Sequence, residues 1–142
     1  MSADQYNNEY LNVQVSTSNQ LRLIILLYER AIFLLQNAQE LNNKDKIRQR
    51  CENIIKTQEI ILELLSALNF DAGEIARSLQ GLYIYFYNRL NDAMFKKDLK
   101  ALDEIIRLLE LLKESWVQIS NHPDVKKMNK TARYVPTALR AV

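Results

Sequence analysis

Hydrophobic residues recur along the chain with the period of packed helices. After residue 44, apolar side chains alternate by four and three positions, which is a heptad pattern. The pattern predicts three helices, at about 44–68, 73–97 and 98–121. Their core positions are Ile47, Cys51, Ile54, Gln58, Ile61, Leu65 and Leu68; Ile75, Leu79, Leu82, Tyr83, Phe86, Leu90 and Ala93; and Leu102, Ile105, Leu109, Leu112, Trp116 and Ile119.

An earlier segment, Leu21 to Ala38, is more apolar than a surface helix requires. Between Leu21 and Leu35 the polar residues are Arg22, Glu29 and Arg30, whereas a helix packed on one core normally shows a single apolar stripe. Three explanations compete: a membrane span, a helix buried on most sides, and a helix that keeps apolar surface for a partner. The uninterrupted apolar run, residues 23–28, falls far short of the ~20 residues of a spanning helix.

The beginning of the chain and the ends of the helices complete the fold prediction. Residues 1–10 lack the basic and apolar regions of a secretion signal, so we expect a cytoplasmic protein without membrane insertion. The run Thr17–Gln20 has the form of a capping box, which starts the first helix at about residue 17. Four helices joined by short loops predict an all-α, antiparallel up-down-up-down four-helix bundle. The expected divisions are an extended arm at 1–16, the bundle at 17–121, and a tail at 122–142.

The composition agrees with this fold, and the charged residues are unevenly distributed along the chain. Two glycines and two prolines are too few for many strands and turns. Residues 1–120 carry 14 basic and 16 acidic side chains, whereas residues 121–142 carry five basic and one acidic. The tail is therefore basic, but it has no helix-turn-helix signature, and we expect no nucleic-acid partner.

Candidate catalytic groups are sparse. His122 is the single histidine and is expected to be solvated or to cap a helix end. Cys51 lies on a predicted core seam, where a thiol acts as a small hydrophobe. The sequence contains no glycine-rich phosphate loop and no pair of Glu-x-x-His motifs for a two-metal site. We therefore expect no catalysis, no cofactor and no metal.

Several large apolar residues fall outside the predicted core seams when each helix is drawn at 100° per residue. Such surplus on several helices favours grooves that accept amphipathic helices of a partner. A homodimer or a regulatory adaptor that buries the same patches is the alternative. The predicted groove residues are Leu26, Phe33, Ile60, Leu64, Ile84, Phe95 and Leu111.

Motifs on all four predicted helices resemble one family. The segments are "LLYERAIFLL", "IIKTQEIILEL", "AGEIARSLQGLYIYFYNRL", an alanine at 93, "KKD" at 96–98 and "ESWVQIS" at 114–120. They resemble FliS, the flagellin-specific export chaperone family. The sequence departs from it in "STSN", which lacks the family's proline, and at Ile84, where an acidic residue is common.

The resemblance implies a function. A member of this family is a helical bundle of the bacterial cytoplasm that binds the disordered C-terminal segment of flagellin. It thereby prevents premature polymerisation and aids delivery to the flagellar type III export gate. The resemblance also implies that the N-terminal arm can cover the groove that binds flagellin.

The arm carries its own candidate residues. Val13 and Val15 are two positions apart and share one side of an extended chain, so we expect them to dock on the bundle. Tyr10 is expected to be a movable anchor, and it best matches the arm tyrosine that the family associates with the export gate. The alternative is a terminus with no role.

Overall fold

The computed structural model describes residues 17–123, and these form the four predicted helices. Helix α1 spans Thr17–Glu40, α2 spans Ile47–Ser66, α3 spans Glu74–Phe95 and α4 spans Lys100–Ser120. Single 3-10 turns, Lys44–Lys46 and Phe70–Ala72, precede α2 and α3. Helix α1 begins at the predicted residue, but the Thr17 side chain lies outside the described side chains.

The helices pack in a closed ring. Helix α1 lies against α2 and α4, and α3 lies against the same two helices. Because consecutive helices are joined by short connections, neighbours run antiparallel, and the predicted up-down-up-down bundle is confirmed. Among residues 17–123, no helix is both long enough and apolar enough to cross a membrane.

The core combines apolar packing with a hydrogen-bonded tyrosine pair. Tyr28 of α1 and Tyr83 of α3 are buried, and their hydroxyl oxygens lie 2.5 Å apart. The buried Trp116 side chain of α4 lies near the Tyr28 hydroxyl and acts against the rise in its pKa. Desolvation by burial raises the pKa of both tyrosines, so their hydroxyls stay protonated. This contact joins the two helices that face each other across the ring.

Two connections contain residues in the left-handed region of backbone conformation. Gly73 precedes α3 with φ of 75°, which glycine adopts without a Cβ clash. Lys97 follows α3 with φ of 53°. There the backbone N–H groups of Lys96 and Asp98 both donate to the Asp92 carbonyl, at 2.9 and 3.4 Å, which is how a left-handed residue ends a helix.

The core face of α2 differs from the predicted one. Arg50, Ile54, Thr57, Gln58, Ile61 and Leu64 are buried, whereas Cys51 and Leu65 are partly exposed and Ile47 is exposed. Cys51, predicted to be a small buried hydrophobe on the core seam, is therefore only partly buried. The polar core residues have partners: Thr57 Oγ1 donates to the Asn53 carbonyl at 2.9 Å, and Gln58 Nε2 donates to Asn91 Oδ1 at 2.8 Å.

Candidate functional site

The outer face of α1 carries the first cluster of exposed apolar residues. Leu26 and Phe33 are 49% and 51% exposed, and their spacing of seven residues places them on one line of the helix. Leu23 is also exposed. The Arg30 guanidinium lies over the Phe33 ring, 5.6 Å from its centroid, so this face offers apolar area and a positive charge.

A second exposed cluster lies where α2 meets α3. Gln58 of α2 donates to the Tyr87 carbonyl at 3.1 Å as well as to Asn91, which identifies the contact between these helices. Exposed Ile55 and Leu62 precede and follow Gln58 by about one turn. Ile84 precedes Asn91 by two turns on the same side of α3 and is also exposed. Three aliphatic side chains therefore surround the polar contact.

A third surface is a groove between α3 and α4. It encloses about 400 Å³ and is lined by Glu74, Ile75, Ser78, Leu79, Leu112, Ser115, Trp116 and Ile119. Ile75 and Ile119 were predicted to be core residues, but both are exposed at the rim. They belong to the first turn of α3 and the last turn of α4, where the two helices border this opening instead of each other.

Leu111 precedes the lining residues Leu112 and Ser115 on α4 but does not itself line the groove. It is exposed and lies one turn before Ser115, whose hydroxyl donates to the Leu111 carbonyl at 3.1 Å. Farther along the same pair of helices, Arg89 of α3 contacts Asp98 Oδ2 at 2.8 Å and Glu104 Oε1 at 3.4 Å. The groove is thus apolar near one end of the bundle, and the helix pair is held by charges towards the other.

The charged contact has clear electrostatic effects. Hydrogen bonding to Arg89 lowers the pKa of the Asp98 carboxyl. The Tyr85 hydroxyl donates to Glu104, and this bond, with Arg89 adding to it, lowers the pKa of the Glu104 carboxyl. The same bond raises the pKa of Tyr85. Both carboxylates therefore stay ionised, and the cluster holds α3 against α4.

The structure corrects two of the predicted groove residues. Leu64 is 2% exposed and belongs to the core. Ile60 is partly buried and packs against the core cluster. Both errors share a cause: α2 also buries Arg50 and Thr57, which lie outside the predicted seam, so its buried face is turned relative to that seam.

The remaining predicted residues do not form one groove. Leu26 and Phe33 lie on α1, Ile84 lies beside α2, and Leu111 lies next to the α3–α4 groove. Phe95 is 81% exposed at the last residue of α3. The arm residues Tyr10, Val13 and Val15 lie outside the described residues, as does nearly all of the basic tail.

Within residues 17–123, no group of three or more His, Cys, Asp and Glu side chains is placed to hold a metal ion. His122 follows α4, and its backbone N–H donates to the Ile119 carbonyl at 3.1 Å.

The fold and these surfaces define a class: a small all-α four-helix bundle with apolar contact surfaces on several helices. Comparison with known proteins identifies the family. Residues 2–123 match the family described as flagellar protein FliS, and the chain belongs to that family.

Individual relatives agree with this assignment. The chain is 35% identical over 118 residues to the flagellar secretion chaperone FliSB of Pseudomonas aeruginosa, covering 82% of this chain and 94% of the relative. It is 29% identical over 119 residues to the flagellar secretion chaperone FliS of Vibrio cholerae, with 83% and 88% covered. For the Bacillus subtilis protein of the same name, identity is 30% over 109 residues, with 77% and 81% covered.

Proposed function

We propose that this protein is a cytosolic flagellar export chaperone that binds the disordered C-terminal segment of flagellin. In this role it prevents premature polymerisation and aids delivery to the flagellar export gate. The observation that carries the proposal is the apolar surface exposed by a bundle of the FliS family, on α1, between α2 and α3, and between α3 and α4.

The distribution of this surface suits a disordered client better than a compact one. A segment that folds on binding loses conformational entropy, so it must bury apolar area over a long contact. Surfaces on several faces of one small bundle allow a chain to wrap around it. The α3–α4 groove would accept the apolar stripe of an amphipathic client helix.

The residues proposed to contact flagellin are the predicted ones that the structure leaves exposed, together with the rim of the groove. They are Leu26, Phe33, Ile84, Phe95 and Leu111, joined by Ile75 and Ile119. Because these side chains contribute little to the core, a charged substitution should weaken binding without unfolding the bundle.

The test is calorimetric titration of the full chain with a peptide of the flagellin C-terminal segment. We expect a 1:1 complex that Phe33→Glu, Ile84→Glu and Leu111→Glu each weaken by about tenfold or more. The matched control is Gln49→Glu, which adds the same charge at an exposed position of α2 that is turned away from Ile55 and Leu62. The control should bind like the unmodified chain, and all variants should keep its helicity.

The same experiment separates the alternative function. A homo-oligomeric adaptor or regulator would bury these patches against a second copy of the chain. Self-association in sedimentation without any binding of flagellin would favour that alternative and contradict the chaperone proposal.

A further inference from the structure

A small opening lies at the end of the bundle opposite the α3–α4 groove. It encloses about 110 Å³ between the α1–α2 connection and the α3–α4 connection. Its lining contains three cationic side chains and no acidic one: Asn42, Lys44, Ile47, Arg50, Lys97 and Leu99.

Arg50 is the inner wall of this opening. The residue is 3% exposed, and its Nη1 donates to the Leu41 carbonyl at 3.2 Å. Within the described part of the chain, its buried Nε has no hydrogen-bond acceptor. Nε and Nη2 together form the edge of a guanidinium that binds the two oxygens of one anionic group. A buried donor without an acceptor costs free energy, so this edge favours a ligand.

The surrounding charges do not neutralise the site. Among the described residues, no carboxylate lies within ion-pair distance of Lys44, Arg50 or Lys97. Two nearby acids have other partners, since Asp98 binds Arg89 at 2.8 Å and Asp92 binds Lys96 at 3.5 Å, and the adjacent Asp45 is exposed to solvent. The opening therefore concentrates positive charge around a buried donor.

We propose that this opening, lined by Lys44, Arg50 and Lys97, is a binding site for one oxyanion group, a carboxylate or a phosphate. A volume of about 110 Å³ is several times the roughly 10–15 Å³ that a single enclosed water molecule needs, so it suffices for one such group. The Arg50 edge supplies directional hydrogen bonds, and the two lysines supply charge from the exposed connections. The site is separate from the apolar surfaces proposed for flagellin.

Titration of the full ¹⁵N-labelled chain tests this proposal through the Arg50 Nε–Hε resonance. The probes are inorganic phosphate and, separately, acetate, each exchanged against chloride at constant ionic strength. We expect a saturable shift of this resonance, with a Kd of about 1 mM or below. A stronger response to acetate would indicate a carboxylate of a polypeptide as the natural source. A stronger response to phosphate would indicate a free phosphate or a phosphate ester.

Variants distinguish the site from general attraction of anions. Lys97→Gly removes a cation and places glycine at a left-handed position, so the variant should fold at least as well as the unmodified chain. It should weaken binding by about fivefold. Lys100→Gln removes the same charge from an exposed residue outside the lining and should leave binding unchanged. Arg50→Lys keeps the charge without the planar fork. Because this variant also lacks the Nε–Hε resonance, its binding is followed through the backbone amide resonances of the lining residues, which should no longer show a saturable shift.

Two results would overturn the proposal. The first is a response that does not saturate with either anion, as expected if a buried water satisfies Nε. The second is equal weakening by Lys97→Gly and Lys100→Gln. If Arg50→Lys fails to fold, the comparison of the two lysine variants still decides.

Discussion

The tyrosine pair shows how single hydroxyl groups affect the stability of this bundle. Burial raises the pKa of Tyr28 and Tyr83 above the ordinary value of 10.0. Because their pKa is raised in the folded state, the contribution of these tyrosines to the free energy of unfolding is complete below pH 10. It is lost above that pH, because the unfolded chain releases protons that the folded chain retains.

Replacing both hydroxyls should therefore flatten the alkaline stability profile. For Tyr28→Phe with Tyr83→Phe, we expect a change within about 1 kcal/mol at neutral pH, since both partners of the hydroxyl contact are removed together and neither is left unpaired. Above pH 10 the unmodified chain should lose up to about 1.4 kcal/mol per pH unit for each tyrosine, and the double variant should lose less. Urea unfolding at several pH values measures both slopes. Equal slopes for the unmodified chain and the double variant would contradict the raised pKa of the two buried tyrosines.

Leu62 and Leu64 allow a matched test of the corrected core face of α2. The two leucines are two residues apart on one helix, but Leu64 is in the core whereas Leu62 is exposed. Leu64→Ala should lower the free energy of unfolding by about 2–5 kcal/mol through lost packing. Leu62→Ala should change it by less than about 0.5 kcal/mol. Chemical denaturation checks both values, and similar losses at the two positions would show that Leu62 is also core.

At the scale of helices, the sequence predicted the number, order and approximate bounds of the elements well. Phe86, Leu90, Leu102 and Leu109 are core residues as expected, because their apolar neighbours recur at regular positions on the same face. Helix α2 was less predictable. Its Arg50 and Thr57 are buried outside the predicted seam, and Arg50 donates to the Leu41 carbonyl, a partner that is not visible in a single helix's periodicity.

The candidate surfaces were predictable as exposed residues but not as an arrangement. Leu26, Phe33, Ile84, Phe95 and Leu111 are exposed as expected. Which of them lie together depends on how each helix is rotated in the ring. The sequence did not predict the α3–α4 groove, because its rim residues Ile75 and Ile119 continue the heptad pattern of the core. Their positions in the first turn of α3 and the last turn of α4 were the signal that they could be exposed.

The ion pairs of Arg89 hold α3 to the start of α4, and their contribution to the free energy of unfolding should decrease in acid. The guanidinium lowers the pKa of Asp98 below its ordinary 3.8. The contribution of the Arg89–Asp98 pair to the free energy of unfolding is therefore present above pH 3.8 and is lost as the pH falls through the lowered pKa. Arg89→Met should reduce stability at neutral pH, and its stability should fall less steeply in acid than that of the unmodified chain.

The measurement is the urea midpoint followed from about pH 7 to about pH 2.5. Arg48→Met is a suitable control because it breaks an exposed pair, Arg48 with Glu52 at 3.3 Å within α2. Such a pair contributes little to stability. If Arg48→Met changed the acid profile as much as Arg89→Met does, the α3–α4 contact would have no special role.

At the scale of the whole molecule, the N-terminal arm and flagellin are predicted to compete for the bundle. Thr17 begins α1 at the bundle end that also contains the α3–α4 groove, because α3 begins and α4 ends there. An arm of sixteen residues ahead of Thr17 spans up to about 50 Å when extended, so it is long enough to reach this groove. Val13 and Val15 are the predicted docking residues, and Tyr10 is the predicted movable anchor.

Hydrogen exchange of residues 8–16 in the full chain, with and without the flagellin C-terminal peptide, tests this competition. We expect protection in the unbound protein that decreases when the peptide is added, because the client replaces the arm on an apolar surface. Val13→Ser with Val15→Ser should remove the protection and strengthen peptide binding, since less displacement is then required. Tyr10→Ser should leave the protection of residues 13–15 largely unchanged. Equal exchange in both states would mean that the arm does not cover the client surface.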